Sequence, residues 1–173
     1  AYLIPLIIYC NVMDDLDGVL ATKLGIGSEF GARLDNVCDS VSHSMILMFV
    51  GMAVGGICMF AALIATAVVV LRGVSRLDPN ATPGAGSPTN ELVRHVFFII
   101  LLAEQYSFDG SPCLIIAFLL NAITMTLPWK LRFMIRGMAK SAVAIGFVNV
   151  ALLVAWLVPS TTPLVAAAFI GTY

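Results

Sequence analysis

The sequence predicts an all-α protein, a polytopic bundle of about six to seven transmembrane helices forming a single domain over residues 1–173. Three observations predict it. Hydrophobic residues make up 60% of the chain and charged residues 11%, where soluble domains carry roughly a quarter charged. The apolar residues fall in runs near the length of about 20 that a helix needs to cross a hydrocarbon layer of about 30 Å. Between the runs lie short segments rich in charge, Pro and Gly that break helices.

The first run, residues 1–13, is too short by itself, but a helix continued through Asp17 to about Thr22 reaches spanning length. That continuation carries acidic residues to the membrane edge. The second run covers 30–51 and the third 53–71, with a tight turn expected near Gly51 and Met52. A hydrophilic loop follows over 72–90, where Asp78-Pro79-Asn80 and Pro83-Gly84-Ala85-Gly86 are turn signals. The fourth run covers 92–102, a polar turn 104–111, and the fifth run 112–127. A loop over 129–140 leads to the sixth run at 141–158. Residues 159–163 form a link, and 164–173 open a seventh helix that is cut short.

Alternating these runs across a bilayer puts Lys23 and Arg33, then Arg72, Arg76 and Arg94, then Lys130, Arg132, Arg136 and Lys140 on one side, with Glu104 and Asp109 opposite. Basic loops stay cytoplasmic, so the acidic cluster is expected on the cytoplasmic face, in a prokaryotic inner membrane. No basic stripe suits nucleic acid, which is not an expected partner. Cys10, Cys38, Cys58 and Cys113 lie far apart in apolar stretches and read as small buried hydrophobes. The first run is not followed by a small-residue cleavage site, so no signal peptide is expected.

The chemistry lies in the acids. Asp14 and Asp17 are three apart on the first helix, with Gly18 and Ala21 near the same face. Gly31, Asp35 and Asp39 are spaced by four on the second. Facing stripes would gather four carboxylates in one pocket, and such charges at low dielectric need compensating cations. Dense hard oxygen ligands suit Mg²⁺ or Mn²⁺, with Ca²⁺ able to substitute, and two divalent ions suit displacement at phosphorus. Gly18 and Gly31 leave room for a flat base or a diphosphate to reach the backbone.

The pattern Asp14-x-x-Asp17-Gly18-x-x-Ala21, eight residues after position 22, then Gly31-x-x-x-Asp35-x-x-x-Asp39, resembles the signature of CDP-alcohol phosphotransferases. Seven of its eight specified positions match, a coincidence of about one in ten million at average residue usage. The resemblance implies metal-dependent transfer of a phosphatidyl or similar group from a CDP-linked donor, such as CDP-diacylglycerol, to a small hydroxyl acceptor, with release of CMP. It implies that Asp14, Asp17, Asp35 and Asp39 hold the metals and that Asp39 also deprotonates the acceptor. Gly18, Ala21, position 22 and Gly31 would line the CDP site. The family has Arg where this chain has Thr22, and one helical step turns Lys23 about 100° away from that position. The family also places a helix ahead of the motif helix, which is expected to be missing here.

The run 34–42, Leu71-Arg72 with Ser75-Arg76, and the basic loop after the fifth run are similar to phosphatidylserine synthases, so serine is the favoured acceptor. His43 and Ser44 stand where that branch has Phe-Gly. Glycerol phosphate and inositol phosphate are the alternative acceptors. Arg72, Arg76, Lys130 and Arg132 are candidate phosphate or acceptor contacts, weighed against anchors for anionic lipid. Membrane lipids and a second copy of the chain are the other candidate partners. His43 reads as a helical histidine with a local hydrogen bond, Asp15 and Glu29 as solvated, and Asn121 as an interhelical hydrogen-bonder. From another class, a transporter could use the same carboxylates to relay ions. A silent relative is the third option, raised by Thr22.

Overall fold

The computed structural model describes residues 3–77, 89–127 and 142–171. Among these the chain forms helices α1 (Leu3–Leu24), α2 (Glu29–Val54), α3 (Gly56–Ser75), α4 (Thr89–Tyr106), α5 (Ser111–Thr126), α6 (Ala142–Leu157) and α7 (Thr162–Gly171), with a 3-10 turn at Pro159–Thr161 and no strand. The turn signals of 78–88 and the basic residues Lys130, Arg132, Arg136 and Lys140 lie outside the described residues.

Local chemistry sets the ends of the site-bearing helices. Gly25, at φ +64°, ends α1, and the Ile26 amide reaches back to the Ala21 carbonyl at 3.1 Å. Ser28 caps α2 in extended conformation and accepts the Gly31 amide at 3.0 Å, while Glu29 in the first turn complements the positive helix end. The turn expected near Gly51 lies instead at Gly55 and Gly56, both at positive φ. Gly51 stays helical because its role is contact: a methyl group there would stand 2.5 Å from the Ala62 Cβ. At the start of α5 the Asp109 carboxylate accepts the Ser111 amide at 3.0 Å and its hydroxyl at 2.6 Å, which holds the Asp109 carboxyl below the usual range.

The core is built from Ile46, Leu47 and Val50 of α2, Ala61, Ala62, Ala65 and Val69 of α3, Leu92, Val96 and Phe97 of α4, and Leu114 and Phe118 of α5. Alanines on α3 let it pack closely between α2 and α5. α1 leans more on α6 than on α2, so the first two helices share only a limited contact. Ile57, Phe60, Phe147 and Leu164 are each more than two-thirds exposed, a distribution suited to lipid rather than water.

Among the described residues two helices, α2 and α3, are long and apolar enough to cross a membrane, and a third span arises if α6 and α7 count as one. That pair is bent by 118°, so the expected link at 159–163 is a sharp corner and the seventh helix begins at Thr162. The Thr162 hydroxyl donates to the Ala155 carbonyl at 2.6 Å across the corner. α5 is apolar but only 16 residues long, and α1 carries Asp14, Asp15, Asp17 and Lys23.

Candidate active site

Helices α1 and α2 part around a cleft of about 360 Å³ lined by Asp17, Gly18, Ala21, Ile26, Gly27, Ser28, Gly31, Ala32 and Asp35. The small residues make it. A Cβ at Gly18 would meet nothing within 4 Å, and one at Gly31 only the Ser28 hydroxyl at 3.1 Å. The volume that larger side chains would fill stays open beside two carboxylates.

One carboxylate oxygen each from Asp14, Asp35 and Asp39 lies within 4.8 Å of the others. Asp35 is exposed, and Asp14 and Asp39 are half-buried. Of the four acids expected together, Asp17 lines the cleft but is not part of this tight group. Asp17 is exposed, about one turn beyond Asp14 on α1, and lines the glycine-bordered cleft with Asp35. Three carboxylates this close need a cation or a proton between them. Their all-oxygen donor set fits a hard divalent cation.

A polar network backs the cluster. Asn90, in the first turn of α4, donates to Asp14 Oδ2 at 2.7 Å. Asp15, expected in water, is half-buried and accepts Asn149 Nδ2 of α6 at 2.7 Å and Asn11 Nδ2 at 3.2 Å. Asn11 Nδ2 also reaches Asn149 Oδ1 at 2.7 Å, and Arg94 of α4 spans from Asn11 Oδ1 at 3.4 Å to Glu91 Oε1 at 3.1 Å. Burial beside these amides is what removes Asp15 from solvent. His43 is likewise not locally bonded: its Nδ1 stands 3.0 Å from the Thr89 hydroxyl on α4, because the histidine faces the buried side of α2. Asn11 and Asn149 had a readable signal, as amides in otherwise apolar runs. Asn90 had none, standing beside a hydrophilic loop.

The arginines separate. Arg72 turns inward, buried, and donates from Nη1 to the Met125 carbonyl at 3.3 Å, near the C-terminal end of α5 where a cation is favoured. Arg76 is exposed and lines a side cleft of about 210 Å³ with Glu29, Ala32, Arg33, Asn36 and Leu77. Ala32 borders both clefts. Glu29 is exposed as expected and pairs with Arg33 at 2.5 Å. The Thr22 side chain lies outside the described residues. The helix continues past it to Leu24, so Lys23 does not take over its direction. Asn121 contacts His95 of α4 at 3.4 Å, the interhelical role expected of it.

A model of the family described as CDP-alcohol phosphatidyltransferase matches residues 2–171. No curated protein and no solved structure matches the chain at a significant level.

Proposed function

We propose a reaction from a firm premise: the chain belongs to the CDP-alcohol phosphatidyltransferase family. It is an integral membrane transferase of phospholipid synthesis that moves a phosphoryl-linked group from a CDP-alcohol to an acceptor. Membership favours this over an ion relay. The finer reading is metal-dependent transfer of a phosphatidyl group from a CDP-diacylglycerol-type lipid to a small hydroxyl acceptor, serine first, releasing CMP. The observation that carries it is the convergence of Asp14, Asp35 and Asp39 within 4.8 Å, beside a cleft kept open by Gly18 and Gly31.

In this reading Asp14, Asp17, Asp35 and Asp39 hold two divalent cations, Mg²⁺ or Mn²⁺ with Ca²⁺ able to substitute. Those cations would neutralise the diphosphate and ease departure of CMP. Gly18, Ala21 and Gly31 admit the cytidine, with position 22 beside them. Asp39 takes the proton of the acceptor hydroxyl as its oxygen forms the new P–O bond, and the P–O bond to CMP breaks with its electron pair leaving on CMP. Thr22 offers no guanidinium fork, so neutralising the diphosphate would fall more to whatever cations Asp14, Asp17, Asp35 and Asp39 hold. α1 and α2 serve as the motif-bearing first spans of a six- to seven-span bundle in a prokaryotic inner membrane. Lys23, Arg33 and Arg76 near the cleft support a cytoplasmic site, by the positive-inside rule.

Purified protein with Mn²⁺, CDP-diacylglycerol and serine should release CMP and form phosphatidylserine. Asp39→Asn should lower the rate by about 10²–10⁴-fold while the donor still binds. An unimpaired variant overturns the base assignment, and no CMP with any acceptor would make the chain a silent relative. One observation favours a second reading, an acceptor that itself carries phosphate: Arg33 and Arg76 line the side cleft that shares Ala32 with the main one. Glycerol phosphate or inositol phosphate outcompeting serine would decide for it.

A further inference from the structure

Asp14 is the member of the carboxylate group that α4 grips. A carboxylate on a helix turns about two side-chain bonds, and one of its oxygens is fixed when a donor on a separate, packed helix holds it. Asn90 meets that description: it lies 76 positions away in sequence, is half-buried, and donates to Asp14 Oδ2 at 2.7 Å. The bond's direction is unambiguous, since an ionised carboxylate only accepts. It leaves the other oxygen and a remaining lone pair for the cluster.

The same helical turn is tied to the second acid-bearing helix. Thr89 stands 3.0 Å from His43, one turn beyond Asp39 on α2. One turn of α4 therefore touches both helices that supply the carboxylates. Chemistry also explains the residue type. An ammonium or guanidinium at position 90 would neutralise Asp14 and compete with a cation, whereas an amide directs the carboxylate without cancelling its charge.

We infer that Asn90 is a positioning residue that orients Asp14 toward a divalent cation, so that affinity for the metal depends on an amide outside the acidic motif. The inference rests on the metal reading above, and its test is made with the metal alone. Mn²⁺ binding to the purified full chain is titrated by electron paramagnetic resonance, and unfolding of the metal-free protein is followed in parallel. Wild type should bind Mn²⁺. Asn90→Ala and the near-isosteric Asn90→Leu, neither with a donor, should both bind it about 10–100-fold more weakly, with the metal-free melting temperature little changed.

Wild type that binds no Mn²⁺ overturns the metal reading itself. Wild type that binds, with both variants within twofold of it, overturns the role of Asn90 alone. Normal affinity in Asn90→Leu with a loss in Asn90→Ala would show that position 90 fills space, and would also overturn it. So would loss of the cooperative metal-free transition in Asn90→Leu, which would make the residue a support of the fold.

Discussion

The two halves of α2 use the same backbone for opposite ends. From Glu29 to Asp39 no residue is buried, and Gly31, Asp35 and Asp39 face the cleft or its carboxylate group. From His43 to Gly51 one face is fully enclosed, by His43, Ile46, Leu47, Val50 and Gly51. Each half has one instructive glycine. At position 31 the missing side chain keeps a space open, and at position 51 it lets two helices touch. Glycine in a helix costs about 1 kcal/mol relative to alanine; one half sets packing against that cost, and the other sets open space, which the proposed function assigns to the CDP moiety.

That contrast can be broken at its packed end first. Gly51→Val forces a branched side chain into the Ala62 and Met59 contact and should destabilise the protein by about 1–3 kcal/mol, read as a lower melting temperature in detergent. Activity should fall only as far as the folded fraction does. On α1, which lines the same cleft as the open half of α2, the signs reverse. Gly18→Ala meets nothing within 4 Å and should leave stability unchanged or raise it by up to about 1 kcal/mol, while weakening the donor by roughly tenfold, the scale of one misplaced methyl group in a fitted site. A Gly18→Ala protein that binds donor normally would mean the cleft is not a ligand site. The smallest effect belongs to the exposed Glu29–Arg33 pair beside the side cleft. Glu29→Gln should change stability by less than about 0.5 kcal/mol, since exposed pairs contribute little. Even that change should shrink at high salt.

Spacing alone made the acids legible, because residues three or four apart on a helix share a face whatever surrounds them. The same logic exposed Gly18 and Gly31 as space-makers. What spacing could not supply was how α1 and α2 pack against each other, so Asp17 stands outside the tight group although it shares a face with Asp14. Contacts between distant helices were hidden as well. Asp15 looked like one more solvated acid until Asn149, 134 positions away, was seen beside it. Apolar runs also understated α4, whose first turn carries Asn90 and Glu91, the partner of Arg94, and begins before the run does. A glycine inside a helix and a glycine at a turn look alike in sequence, which is why the α2–α3 corner was expected four residues too early.

That corner fixes a distance. From Gly55 back to Asp35 is about 20 helical residues, or about 30 Å of rise, close to the thickness of a hydrocarbon layer. α3 returns over nearly the same length, and there Asn36 donates to the Gly73 carbonyl at 2.9 Å. The hairpin thus works as a depth gauge, clipped at both ends. With Gly55 placed at one surface of a bilayer, that rise would bring Asp35 level with the opposite headgroups, the depth at which the proposed reaction would join a water-soluble acceptor to a lipid-anchored donor.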